Sequence, residues 1–359
     1  MRPIRRKDAV RYSENVIISF VITLLGTRMF LEITGYPRIA SGVLHIAHVV
    51  WGGLFLLIAS LIVLMFRNQS LLTLSSVLTG IGWGFFIDEL GKFITADNDY
   101  FFRPAAPLIY LSFLTLWFLA LRLRTAQAPG ASTQIYHVLD SLEELIEANV
   151  DANELMAMKQ QLLQLSQDRQ DGITDELALA LLHFVEREDV KTQEAEPSVA
   201  TRLHRQVREA IDQALLSPAT VRYVFPAVLA LYAAMRGLNS CKHVLPLFWP
   251  SLVSSFHADL DVSPFSSNAN IWLFLLMNGS RFIAAVLFLR AAHFAFHLQK
   301  QGYRVARTAV IWAITVVDLL VFYFTQFSAA FVALIDVLLL GWVNHYQRRS
   351  QIEVLESQG

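Results

Sequence analysis

Residues 71–95 read LLTLSSVLTGIGWGFFIDELGKFIT. The stretch is long enough to cross a bilayer, for which about 20 mostly apolar residues suffice. It carries no charge until Asp88, Glu89 and Lys92 near its end. Gly80, Gly84 and Asp88 recur every four residues, with Gly91 close to the same stripe. Small residues at that spacing let a membrane helix approach a neighbour closely. The stripe predicts that Asp88 is pressed into a helix bundle rather than toward lipid. Glu89 stands about 100° further round the helix and need not join the same face.

Working outward, seven more segments meet the same length criterion. With 71–95 the set is 14–34, 41–66, 104–123, 222–239, 269–297, 306–324 and 328–346. The last two are short and share the tight connection Thr325-Gln326-Phe327-Ser328, which predicts a helical hairpin. The whole chain agrees with this pattern. It is 55% apolar and 16% charged, against about 25% charged in a soluble domain. The expected fold class is an all-α polytopic transmembrane bundle of about eight spans. A net charge of −1 gives no field that would recruit nucleic acid. A single cysteine, Cys241, excludes an internal disulfide and a cysteine-based zinc site. A basic start, Arg2 to Lys7, precedes the first apolar run, but no small-x-small cleavage site follows it. A retained first helix is therefore expected.

Residues 125–220 break the pattern, because no run there is long enough to span. Between 131 and 200 there are 15 acidic and 4 basic residues, the mark of a solvated face. Ile135, Val138, Leu139, Leu142, Leu145 and Ile146 recur at helical spacing, as do Leu155, Met158, Leu162, Leu163 and Leu165. Thr174-Asp175-Glu176 would cap a third helix ending near Glu188, and Leu203, Val207, Ile211 and Leu215 suggest a fourth. The chain thus reads as a four-helix membrane half (1–124), an acidic helical insert (125–220) and a second membrane half (221–359). The insert's apolar faces would pack together, or alternatively receive a protein partner.

Lys and Arg in short flanking loops orient such a protein. Arg2, Arg5, Arg6, Lys7 and Arg11 precede the first span, Arg67 lies between the second and third, and Arg122 and Arg124 follow the fourth. Arg222 opens the fifth, Lys300, Arg304 and Arg307 lie between the sixth and seventh, and Arg348 and Arg349 follow the eighth. With eight spans all of these fall on one side. Both termini and the insert are then cytoplasmic, and the opposite loops hold only Arg38, Arg103 and Lys242 outside the helices.

In this topology three spans deliver polar groups to one depth near the outer surface. Arg28 and Glu32 close the first span, His45 and His48 open the second, and Asp88, Glu89 and Lys92 close the third. A charge within a span costs about 2.5–3.5 kcal/mol even on a lenient scale, so the convergence points to function. Arg28 and Glu32 are four apart and would pair, as would Asp88 and Lys92. His45 and His48, three apart, would share a helical face. Mutual neutralisation is one reading. Two imidazoles and a carboxylate, His45, His48 and Asp88, also make a zinc or iron ligand set, which implies a divalent metal cofactor. His and carboxylate side chains relay protons. A lipid-directed enzyme would use His48 or Asp88 as base and Lys92 or Arg103 to hold a phosphate. In the following loop, Asp97 and Asp99 would supply oxygen ligands, while Tyr100, Phe101 and Phe102 would anchor at the interface.

The segments His45-x-x-His48, 87–95 (IDELGKFIT) and 98–104 (NDYFFRP) resemble a group of bacterial multi-pass membrane proteins. The resemblance covers about residues 40–110, implies an inner-membrane location and carries no activity. Zinc-dependent membrane hydrolases of the ceramidase and adiponectin-receptor type also use intramembrane His and Asp. Here His293-x-x-x-His297 would lie at the cytoplasmic end, far from His45 and His48, so the chain departs from them.

In the second half Arg281, Asp318 and Asp336 fall near mid-membrane and are expected to pair, with Asn278 and Ser280 satisfying Arg281. Phosphate-binding glycine loops, nucleophile elbows and HExxH are absent from the sequence. The expectation is an integral membrane protein whose outward polar site binds a cation, a proton or a lipid head group. The alternatives are a membrane-embedded enzyme acting on lipid, and a sensor whose output is the insert.

Overall fold

The computed structural model describes residues 4–34, 40–41, 44–45, 48–97, 99, 102–124, 136–140, 152–167, 172–185, 213–215, 217, 220–248, 268–297, 299 and 301–356. Contacts divide the chain into two compact units. The first comprises Met1–Tyr100 and Ser112–Arg202, the second Phe101–Leu111 and Leu203–Gly359. The grouping differs from the three segments marked by composition. Residues 125–202 of the insert fall in the unit of the first helices, while 203–220 and the start of the fourth span fall in the second unit.

The first unit is built on α1 (Ala9–Thr34), α2 (His48–Met65), α3 (Gln69–Asp88), the short α4 (Leu90–Ile94) and α5 (Ala105–Arg124), whose first seven residues belong to the second unit. The glycines of α3 work on two faces. A Cβ added at Gly80 would stand 2.0 Å from Ser19 Oγ and 2.3 Å from the Val16 carbonyl, and one at Gly84 would stand 3.0 Å from Thr23 Cβ. That face receives α1. On the other face Gly82 meets α2, where Gly52 is its counterpart: a Cβ on either would lie 2.8 Å from the other's carbonyl oxygen. Backbones this close leave no room for side chains, as in small-residue helix crossings in lipid. Hydroxyl and amide groups add to the contact. Asn15 Nδ2 donates to Ser76 Oγ at 3.2 Å, Ser75 Oγ to the Ala59 carbonyl at 2.9 Å, and Trp83 Nε1 to Ser112 Oγ at 2.7 Å.

Two departures from the sequence reading matter for the site. The second span begins at His48 and not at 41. Ala40–Ser41 and Leu44–His45 pair instead as two-residue antiparallel strands, Ala40 opposite His45. The third span ends at Glu89, where φ −89° and ψ 9° separate α3 from α4.

In the insert, α6 (Ala152–Gln167) and α7 (Gly172–Val185) pack on each other and on residues 136–140. Val138, Met158, Leu162, Leu165, Ala178, Leu182 and Val185 form their shared core. Of the predicted apolar positions, Val138, Met158, Leu162 and Leu165 are thus buried and Leu155 packs against them, whereas Leu139 and Leu163 are exposed and Ile135, Leu142, Leu145 and Ile146 lie outside the described residues. Apart from 213–215 the fourth insert helix, and the whole of the linker 191–198, lie outside the described residues.

The second unit contains α8 (Phe225–Phe248), entered through a π-helical turn at Thr220–Val224, then α9 (Asn268–Phe296) and α10 (Gln301–Trp312). A second π-helical turn (Ala313–Val317) leads into α11 (Asp318–Thr325), and a 3₁₀ turn (Gln326–Ala329) leads into α12 (Ala330–Glu356).

Among the described residues seven stretches are helical, long and apolar enough to cross a membrane. The seventh runs over 47 residues, Gln301–Gln347. Straight, it would extend about 70 Å, more than twice a hydrocarbon core. It doubles back instead. Gln326 takes a positive φ of 49°, and the rings of Tyr303 and Tyr346 stack with centroids 4.2 Å apart. The expected terminal hairpin is present, and the protein is an all-α polytopic bundle in which, among the described residues, the seventh of the seven stretches folds back on itself.

Candidate functional site

The C-terminal part of α1, the first turn of α2 and the α3–α4 junction bring five of the predicted residues together. At the centre is a pair of consecutive carboxylates, Asp88 and Glu89, 1% and 0% exposed. The glycine faces of α3 explain their burial, because α1 and α2 close over both sides of the helix end. Arg28 crosses from α1, its Nε donating to Asp88 Oδ1 and its Nη2 to the Asp88 carbonyl at 3.1 Å. Lys92 Nζ donates to Glu89 Oε1 at 2.7 Å. His48 stands between the two acids. Its Nε2 lies 2.9 Å from Asp88 Oδ2, and its Nδ1 lies 3.3 Å from Glu89 Oε1. The Val49 backbone N–H donates to Glu89 Oε2 at 3.2 Å. That N–H is one of the four left unpaired at the start of α2, and a carboxylate there also suits the helix dipole.

The pairing differs from the sequence expectation. Arg28 was expected on Glu32 and Lys92 on Asp88, each pair within one helix. The ion pairs formed are Arg28–Asp88, between helices, and Lys92–Glu89, across the α3–α4 junction. Glu89 joins the site because the helix breaks at that residue, so helical angles no longer separate it from Asp88. Glu32 is exposed on the last turns of α1. His45 belongs to a strand, so it shares no helical face with His48, and its side chain lies outside the described residues. Asp97 is exposed, and Asp99 N–H donates to Thr95 Oγ1 at 2.8 Å, folding the loop back on α4. Arg103 is exposed in the second unit.

The carboxylate oxygens of the cluster are already engaged by the protein's own donors. Asp88 already accepts from a guanidinium and an imidazole, and Glu89 from an ammonium, an imidazole and a backbone amide. A divalent cation would displace these donors and meet two fixed positive charges. No group of three or more His, Cys, Asp or Glu side chains suited to a metal occurs among the described residues. His293 and His297 do share a face, with ring centroids 4.7 Å apart, but no third ligand joins them among those residues.

The second unit carries a polar cluster whose centre the sequence reading missed. Arg281 was expected to pair with Asp318 and Asp336. The partner is Arg236 of α8, 5% exposed, whose Nη2 forms an ion pair with Asp336 Oδ2 and lies 3.5 Å from Asp318 Oδ1. Tyr232, one turn earlier, donates to Asp336 Oδ1 at 2.9 Å and accepts from Arg236 Nη2 at 3.0 Å. Arg281 makes no ion pair with a carboxylate among the described residues. Asn278 Nδ2 donates to the Phe274 carbonyl of its own helix at 2.9 Å, not to Arg281. An arginine inside the predicted span 222–239 was itself the signal, since such a charge needs a buried partner.

No family model, curated protein or solved structure matches this chain.

Proposed function

We propose that the protein is a proton-coupled integral membrane protein of the bacterial inner membrane, taking up and releasing a proton at His48. One observation carries the reading: both ring nitrogens of a single imidazole face carboxylate oxygens, at 2.9 and 3.3 Å. When the ring holds two protons it donates to Asp88 and Glu89 together. When it holds one, a lone pair faces a carboxylate, and the donor set around the acids must rearrange. Arg28 and Lys92 keep the two acids charge-balanced throughout, so gain or loss of the imidazole proton changes the net charge of the site. His48 is also one-fifth exposed, which gives the proton a way in and out. The enclosing groups are Arg28 from α1, Asp88 and Glu89 from α3 and its junction, and Lys92 from α4. The flanking Lys and Arg residues support a cytoplasmic location for both termini and an outward position for the cluster.

The test is proton flux in liposomes that enclose a pH-reporting dye, driven by a potassium diffusion potential. The wild-type protein should move protons, and His48→Gln should fall to the level of protein-free vesicles. Arg124→Gln, which removes only an exposed pair with Glu14, should leave the flux intact. Equal flux in the wild-type and His48→Gln proteins would overturn the proposal.

A further inference from the structure

We propose that the second unit holds its own exchangeable proton, carried by Asp318 and shared with Asp336 around Arg236. The site is independent of His48. Its two carboxyl groups, 2% and 0% exposed, contact the same guanidinium nitrogen. One contacting guanidinium therefore serves two acids, Arg281 forming no ion pair with either among the described residues, and one proton closes the balance of the contacting groups.

The hydrogen bonds say which acid takes it. Both oxygens of Asp336 are satisfied, Oδ1 by Tyr232 and Oδ2 by Arg236. That is the environment of an ionised carboxylate. Asp318 is held differently. Its Oδ1 lies 3.5 Å from Arg236 Nη2, and its Oδ2 has no hydrogen-bond partner among the described residues. A buried, ionised and half-satisfied carboxylate is costly, whereas a protonated one gains a donor where acceptors are close. One acceptor is the Asp336 carboxylate. Another is the hydroxyl of Tyr110, which stands beside Asp318 and donates its own hydrogen to the Ile314 carbonyl at 2.9 Å.

The backbone is built for this. Asp318 N–H donates to the Ala313 carbonyl, five residues back, and not to Ile314 as an α-helix would require. The π-helical turn frees the Ile314 carbonyl, and Tyr110 occupies it. Single π turns of this kind occur frequently at functional sites. The remaining charged group near Asp318 is Arg281 on α9, which approaches without an ion pair. The full set around the acid is thus Tyr110, Tyr232, Arg236, Arg281 and Asp336. Arg236 Nε and Asn278 Oδ1 also lack partners among the described residues, so the polar interior here is under-filled.

Infrared spectroscopy of the purified protein in lipid nanodiscs tests the assignment directly. At neutral pH the wild-type protein should show the carbonyl stretch of a protonated carboxylic acid, and transfer to heavy water should shift it down. Asp318→Asn and Asp336→Asn should each abolish the band, because one carboxylate then balances Arg236. Arg236→Gln should roughly double it, because both acids then need protons. His48→Gln should leave it unchanged, so failure of the His48 reading and failure of this one are separable. Each variant is checked for a monodisperse elution profile, and the two isosteric Asp→Asn changes suffice if Arg236→Gln does not fold. Three results would overturn the proposal: no band in the wild-type protein, a band that survives both Asp→Asn changes, or a band that never shifts in heavy water.

Discussion

Arg28 and Asp88 form a buried ion pair in the first cluster, and each is exposed too little for water to replace the other. Removing either alone leaves an uncompensated charge, at a cost of about 3–5 kcal/mol. Asp88→Asn and Arg28→Met should each lower the thermal unfolding midpoint in detergent strongly, and the double variant should lose less than the sum. Additive losses would mean that the pair is not a coupled unit. Lys92 is a quarter exposed, so Lys92→Met should cost clearly less than Arg28→Met in the same measurement. At this scale the sequence placed polar residues at one depth but did not pair them. Spacing within a helix reports only i,i+3 and i,i+4 neighbours, and the dominant contact is between helices. The break at Glu89 was equally hidden, since nothing in IDELGKF announces it. Arg236 was legible as a charge inside a span. Its partners, 82 and 100 residues away by number, were not.

Helices here are positioned by what α3 lacks. Gly80→Ala would put a methyl 2.0 Å from Ser19 Oγ and 2.3 Å from a backbone carbonyl of α1. The backbone cannot yield cheaply, so a loss of about 1–3 kcal/mol is expected. Because Arg28 reaches Asp88 from the same helix, separation of α1 from α3 should also weaken the site, and flux should fall with stability. Gly53→Ala is the control. Nothing lies within 4 Å of its added methyl, and alanine favours helix, so its unfolding midpoint should stay level or rise. Equal damage from both changes would rule out close approach as the role of Gly80. The four-residue glycine stripe was readable in the sequence, and so was the terminal hairpin at Thr325–Ser328. The second glycine face, Gly82 on Gly52, and the small strand pair that removes His45 from α2 were not. Both depend on which neighbour a residue meets.

For the molecule as a whole, the expected eight spans and the distribution of Lys and Arg make a definite topology prediction. Reporters fused after Gln127 and after Gly359 should be cytoplasmic, and one inserted at Asp97 should be outside. A cytoplasmic Asp97 would turn the first cluster to face the other compartment. The apolar stretches were legible because apolar length is a one-dimensional property. The grouping of the insert with the first helices was not, because composition marks a solvated segment without saying what it packs on. Within either unit, the proposed proton site is a small set of buried acids with one ring or one guanidinium between them. The central claim is that His48 carries a proton between Asp88 and Glu89. Nitrogen NMR of ¹⁵N-histidine-labelled protein in lipid tests it most directly. One imidazole, identified by its loss in His48→Gln, should have both ring nitrogens engaged in hydrogen bonds to carboxylates. A His48 ring with either nitrogen outside a hydrogen bond would contradict it.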